Sequence, residues 1–196
     1  MKTLKFLKES LKNIRQIGSI FPSSRFVVRK MIEPIDFEKK ITILELGAGT
    51  GVITRQLLEK MNSESILICF ETNQKFCQEL EKMKNQKMTL INESAETMQT
   101  HIKQLKIKQV DYIVSSVPLM TIPQKITDKI LTASVEILGN SGKLIQLQYT
   151  KVLDKKIRAY YNQIDITFTP KYYLPAFIYT CYNKTEDGAT CFYPTK

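Results

Sequence analysis

The chain has 196 residues, of which 43% are hydrophobic and 24% charged. That is enough for one domain with a sizeable core and too little for two ordinary ones. No apolar run approaches the length of a bilayer span, and the basic N-terminus lacks the apolar stretch and cleavage site of a secretory leader, so a cytoplasmic protein is expected. Cys69, Cys77, Cys181 and Cys191 show no metal-ligand spacing and His101 is the only histidine, which argues against a zinc site or a histidine-based triad.

The net charge of +10 is uneven. Residues 1–30 carry Lys2, Lys5, Lys8, Lys12, Arg15, Arg25, Arg29 and Lys30 against Glu9 alone. Over 3–17, Leu4, Leu7, Leu11 and Ile14 keep the 3-4-3 spacing of one helical stripe, and Lys5, Lys8, Lys12 and Arg15 repeat it one residue later. The spacing predicts an amphipathic helix with a basic stripe beside an apolar one. An anionic partner would suit it, as would a solvated face. A second helix is expected over 24–32, stopped before Pro34.

From Ile41 the pattern alternates. Strands are expected over 41–46, 66–71, 88–91, 110–117 and 143–149, with helices over 52–61, 74–83 and 124–138 between them. Two further strands are expected over 164–168 and 177–182. Such alternation predicts an α/β fold with a mostly parallel sheet covered by helices on both faces. A ligand then belongs at the carboxyl ends of the strands.

The segment Glu45-Leu46-Gly47-Ala48-Gly49-Thr50-Gly51 lies between the first strand and its helix. Its glycines allow a tight turn and close ligand approach, and the helix start offers unpaired N–H groups. Glu71, twenty residues after Gly51, stands where an acid accepts hydrogen bonds from ribose hydroxyls. Dinucleotide enzymes share this logic, but their third glycine comes one residue later. Glu45 would repel a pyrophosphate yet favours an ammonium and a sulfonium, the two cations of S-adenosylmethionine.

This segment resembles motif I of the class I methyltransferases, E-x-G-x-G-x-G. The resemblance implies a Rossmann-like, seven-stranded sheet with helices on both faces and S-adenosylmethionine as cofactor. It implies cofactor contacts from Glu45, Gly47, Ala48, Gly49, Thr50, Gly51, Glu71 and Thr72. Ser94 and Ala95 fall in the segment that flanks the adenine, where many members have Asp in place of Ser94. Ser115 falls in the fourth-strand segment that faces the methyl group. No metal is implied.

Two families within the class compete for the acceptor. The rRNA adenine dimethyltransferases carry N-L-P-Y/F at the fourth strand, the amide binding the base and the ring stacking on it; the aligned residues here are Ser116 and Leu119. The chain is also similar to bacterial phospholipid N-methyltransferases of the phosphatidylethanolamine type. The likeness lies in Gly18-Ser19-Ile20-Phe21-Pro22-Ser23-Ser24, in Glu45–Thr54, in Val114–Met120 and in Gln146–Tyr149. This second resemblance implies transfer to a lipid amine at an anionic membrane surface, the basic helix docking there at about 1 kcal/mol per lysine. Nucleic acid suits it less, because the stripe interleaves no aromatic but Phe6.

Phe21, Pro22 and Ser23 are then candidates for a lid over cofactor and acceptor, Pro118 and Tyr179 for the acceptor pocket, and Ser116 and Tyr149 for the catalytic step. The expected division is 1–36 for the amphipathic and lid helices and 37–196 for the methyltransferase domain. The alternatives are adenine N6-methylation of rRNA, and a non-catalytic, membrane-associated cofactor-binding protein.

Overall fold

A computed structural model of the chain describes residues 22–83, 85–170 and 175–183, the side chains of 22–24 excepted. The expected helix over 3–17, Phe21 and Cys191 lie outside the described residues. The first described helix is α1 (Pro22–Ile32). It begins two residues earlier than the sequence suggests, so Pro22 and Ser23 belong to its first turn, where proline's fixed φ and missing N–H are tolerated.

The alternating stretch follows in chain order: β1 (Thr42–Leu46), α2 (Val52–Lys60), β2 (Ile66–Phe70), α3 (Gln74–Glu81) and β3 (Met88–Ile91). A 3-10 turn (Ala95–Thr97) then leads into α4 (Met98–Gln104). After that come β4 (Tyr112–Ser115), α5 (Gln124–Leu138), β5 (Lys143–Gln148), α6 (Asp154–Arg158), β6 (Gln163–Thr169) and β7 (Ala176–Tyr182). The strands form one sheet in the order β3-β2-β1-β4-β5-β7-β6. The first five are parallel, and β7 enters antiparallel between β5 and β6.

Both faces of the sheet are covered, which explains why β2 reads as an unbroken apolar run and why β1 and β4 are buried along almost their whole length, Glu45 and Ser115 included. On one face, Ile43, Leu67, Cys69, Val114 and Ile145 meet Met31 and Ile32 of α1 and Ile53, Leu57 and Leu58 of α2. On the other, Leu44, Leu46, Ile68, Phe70 and Ile113 meet Met98 and Ile102 of α4, Ile130 and Leu131 of α5 and Ile157 of α6. Helix α5 shows the logic well: Thr127, Ile130, Leu131, Ser134 and Leu138 recur at helical spacing and are buried. Gly139 ends it with a φ of 55°.

Because β1, β4 and β5 run in parallel, the loops after Leu46, Ser115 and Gln148 all emerge at one edge of the sheet. The site is built there. Among the described residues no helix is long and apolar enough to cross a membrane, and no group of three or more His, Cys, Asp or Glu side chains could hold a metal ion.

Candidate active site

The loop after β1 folds back on β2 through backbone bonds. Gly47 and Ala48 both donate to the Phe70 carbonyl, at 2.8 and 3.2 Å, and Gly51 donates to the Ala48 carbonyl at 3.0 Å. Gly47, Gly49 and Gly51 have φ values of 75°, 57° and 77°, in the left-handed region that side chains other than glycine's rarely adopt. Their surroundings separate their roles. A Cβ at Gly47 would press on Val117 Cγ2 at 3.3 Å, and one at Gly51 would meet Met83 Cε at 2.2 Å. At Gly49 the nearest atom would be the Gly47 carbonyl at 3.9 Å. Gly47 and Gly51 therefore allow close packing of the loop on the protein, whereas Gly49 borders open space.

Glu71 ends the strand beside this loop and ties it down. Its Oε2 accepts from the Gly49 N–H at 2.8 Å, and its Oε1 accepts from the N–H groups of Thr72 and Asn73 at 2.9 and 2.8 Å. Asn92 donates to the Glu71 carbonyl at 2.9 Å, linking the end of β3 to the same corner. Ser94 accepts from Thr97 through its carbonyl and opens the 3-10 turn, and Ala95 is buried beneath it.

Glu45 lies one layer deeper, on the α2 face. Its Oε2 accepts from Thr54 Oγ1 at 2.7 Å and from Cys69 Sγ at 3.4 Å, while its buried Oε1 has no hydrogen-bond partner. Burial pushes its carboxyl up to about 7, against the hydrogen bonds from Thr54 and Cys69 that pull it down. An unpartnered carboxylate oxygen behind a glycine loop fits a cationic ligand, and Gly49 leaves the room for one. The residues present thus fit S-adenosylmethionine.

A pH dependence follows. Below pH 7 the unliganded protein carries neutral Glu45, which does not attract an ammonium or sulfonium; above it, the carboxylate does. Cofactor affinity measured by calorimetry is expected to weaken about tenfold from pH 8 to pH 6, following one proton bound in the empty site. Glu45→Gln should remove that slope, and a slope equal to wild type in the variant would count against the placement.

At the end of β4 the structure corrects the reading in part. Ser115 is buried and its Oγ accepts from the Val117 N–H at 3.3 Å. Ser116 donates its hydroxyl to the Gly47 carbonyl at 2.7 Å, so it braces the glycine loop. Pro118 is half-buried, and Leu119 is 2% exposed in the core against α5. Tyr149 follows β5 and packs, half-buried, on the α1–α2 side. Tyr179 does not line an acceptor pocket: it is fully buried in the core on the opposite face, among the side chains under α6. It points there because β7 alternates and its odd positions 177, 179 and 181 share that face.

Sequence reasoning missed three supporting side chains. Thr54 orients Glu45, Asn92 holds the Glu71 carbonyl, and Gln146 donates to the Val117 carbonyl at 3.0 Å. Gln148, the last residue of β5, is also buried and its Nε2 has no partner. All three fall in stretches that carry the resemblance, Glu45–Thr54, the adenine-flanking segment and Gln146–Tyr149, but residue type alone does not show what each side chain holds. His101 stands apart on α4, with Nε2 3.0 Å from Glu93 Oε2.

Residues 10–159 match the family described as ribosomal RNA adenine dimethylase. The chain is 26% identical over 179 residues to an ornithine lipid N-methyltransferase of Singulisphaera acidiphila, covering 90% of this chain and 93% of that protein. It is 30% identical over 142 residues to ribosomal RNA small subunit methyltransferase A of Mesomycoplasma hyopneumoniae, covering 72% of this chain but 49% of that protein, so the match spans about half the relative's length. Among solved structures, the N-methyltransferase NodS of Bradyrhizobium japonicum with S-adenosyl-L-homocysteine matches at a TM-score of 0.69 and 10% identity, over 89% of this chain and 97% of that one. The Burkholderia thailandensis 1,6-didemethyltoxoflavin-N1-methyltransferase matches at 0.66 and 12% identity, over 93% and 88%. These two likenesses concern the fold. The chain belongs to the ribosomal RNA adenine dimethylase family and is a class I methyltransferase that uses S-adenosylmethionine.

Proposed function

We propose that this methyltransferase acts on the amine headgroup of a membrane phospholipid of the phosphatidylethanolamine type. The observation that carries the reading is the end of β4. A base flipped into such a site needs stacking and hydrogen bonds along its edge. Leu119, aligned with the stacking ring of the adenine enzymes, is in the core, and its carbonyl accepts from Thr127 Oγ1 at 2.8 Å. Ser116, aligned with their amide, is bound to the Gly47 carbonyl. Similarity to an ornithine lipid N-methyltransferase along 90% of the chain supports the same reading.

The bound donor supplies an electrophilic methyl group. The acceptor is a primary amine, and with amine pKa values of about 10 it arrives protonated at pH 7, so the site must hold its neutral form. The new N–C bond forms as the S–C bond breaks, and the amine proton leaves. We assign Tyr149, beside the end of β5, as a candidate recipient, with water or the lipid's own phosphate as the other routes. The chain's main contribution is positioning. Ser116 fixes the glycine loop to β4, and Gln146 fixes the Val117 carbonyl, so the strand ends form a stiff platform. Pro118 borders that platform. Pro22 and Ser23, at the head of α1, and Phe21, which precedes them in sequence, remain our candidates for the acceptor side, and the basic residues 1–17 for attraction to an anionic bilayer.

The ribosomal reading is the alternative, favoured by the family match and by the Mesomycoplasma relative. Labelled S-adenosylmethionine, offered in parallel with a bacterial lipid extract and with small-subunit rRNA, separates them. Label is expected in the amine lipids. Label in rRNA and none in lipid would overturn the proposal.

A further inference from the structure

Resting on the lipid reading, we infer that the β5–α6 connection and the adjoining ends of β6 and β7 form a second, structured membrane contact. The patch lies at the carboxyl edge of the sheet. Register places Phe177 opposite Gln148, the last residue of β5, and Phe168 opposite Phe177. This row is therefore at the same edge as the glycine loop, with β7 two strands from β4, about 10 Å at normal strand spacing.

The chemistry of the patch is interfacial. Val152 is 72% exposed and Phe168 52% exposed, the two most exposed large apolar side chains among the described residues. Phe168 stacks on Phe177 with ring centroids 5.0 Å apart. Lys151 Nζ lies 5.3 Å from the centroid of the Phe177 ring, so an ammonium and an aromatic pair share one surface. Between 151 and 158 the chain carries Lys151, Lys155, Lys156 and Arg158 against Asp154 alone. Asp154 is paired with Arg158, and Lys156 with Asp128, while Lys151 and Lys155 are exposed, Lys151 against the aromatic row.

Exposed apolar side chains set among cations match a bilayer with anionic headgroups: the apolar groups enter the acyl boundary and the lysines meet phosphate. Position supports the same occupant. An amine carried on a lipid reaches the site only if the edge that bears the site lies against the membrane, and this patch is on that edge.

The chain contains no tryptophan, so Val152→Trp makes a single reporter at the patch. Leu105→Trp, just beyond α4 at the other edge of the sheet, makes its control. Both full-length variants are titrated with vesicles of phosphatidylethanolamine and phosphatidylglycerol. The indole emission of Val152→Trp is expected to shift to the blue and to be quenched by spin-labelled lipid, while that of Leu105→Trp stays constant. Lys151→Gln should weaken vesicle partitioning about fivefold, following the worth of one near-surface lysine. An unchanged emission in Val152→Trp would overturn the inference, as would equal shifts in both variants. So would a shift in Val152→Trp that follows protein concentration without vesicles and thus marks contact between copies. Methylation of a soluble short-chain phosphatidylethanolamine is measured alongside: it needs no docking, so its persistence when docking fails separates this inference from the lipid reading.

Discussion

Replacing Gly49 with valine is expected to weaken S-adenosylmethionine binding by about 100-fold or more, roughly 3 kcal/mol, while the protein stays folded. The space around each glycine decides this. A Cβ at Gly49 meets only the Gly47 carbonyl, at 3.9 Å, so a side chain there has nothing of the protein to strike and projects into the room left for the ligand. Its φ of 57° makes any side chain strained by about 1–2 kcal/mol. That cost lowers the melting temperature by only a few degrees for a chain of this size. Gly51→Ala is the contrast. Its Cβ would sit 2.2 Å from Met83 Cε and 2.9 Å from Leu80 Cδ2, so the loss should appear first in thermal unfolding. Calorimetry showing wild-type affinity in folded Gly49→Val would remove the ligand from this loop.

The second large effect is expected at Glu71. Its two oxygens accept three backbone N–H bonds, one of them from Gly49. Glu71→Ala leaves those donors without a protein partner and takes away the acceptor expected for the ribose. Hydrogen bonds to a charged group are worth about 1.5–3 kcal/mol each, and the backbone takes three of the roughly four acceptor sites, so losing the one left toward the ribose predicts a fall in cofactor affinity of about 10- to 100-fold. Glu71→Gln keeps an acceptor oxygen but turns an amide toward backbone N–H groups, and should fall between. Titration with S-adenosylhomocysteine gives the reading without turnover. Undiminished affinity in Glu71→Ala would mean that the nucleoside lies elsewhere.

The first five strands are legible in the sequence because each is a short stretch built around β-branched or aliphatic residues and bounded by polar residues and glycines, and the structure places them within two residues of the expected bounds. Helix α4 is not legible. Of Met98–Gln104 only Met98 and Ile102 are buried, one i,i+4 pair in an otherwise polar stretch, which sets no period. Helix α6 has five residues and buries Ile157 alone. Within the site, the motif locates Glu45, the three glycines and Glu71, but residue type does not show what a side chain holds. Ser116, a candidate for the catalytic step, binds the loop through its hydroxyl. Tyr179, expected in a pocket, lies in the core, because a tyrosine late in a strand suits either place; the strand's alternation decides, and that needs the register.

The place of β7 has a consequence for synthesis. The last described strand occupies an interior slot, so β6 has no hydrogen-bonded neighbour in the sheet until residues 176–182 have left the ribosome. Until then β5 is an open edge, a surface on which strands of other nascent chains can add. Closure of this slot is thus a late event in folding. A released chain truncated after residue 170 should keep the parallel half ordered, leave the β5 edge prone to aggregation, and lack the Phe168–Phe177 stack.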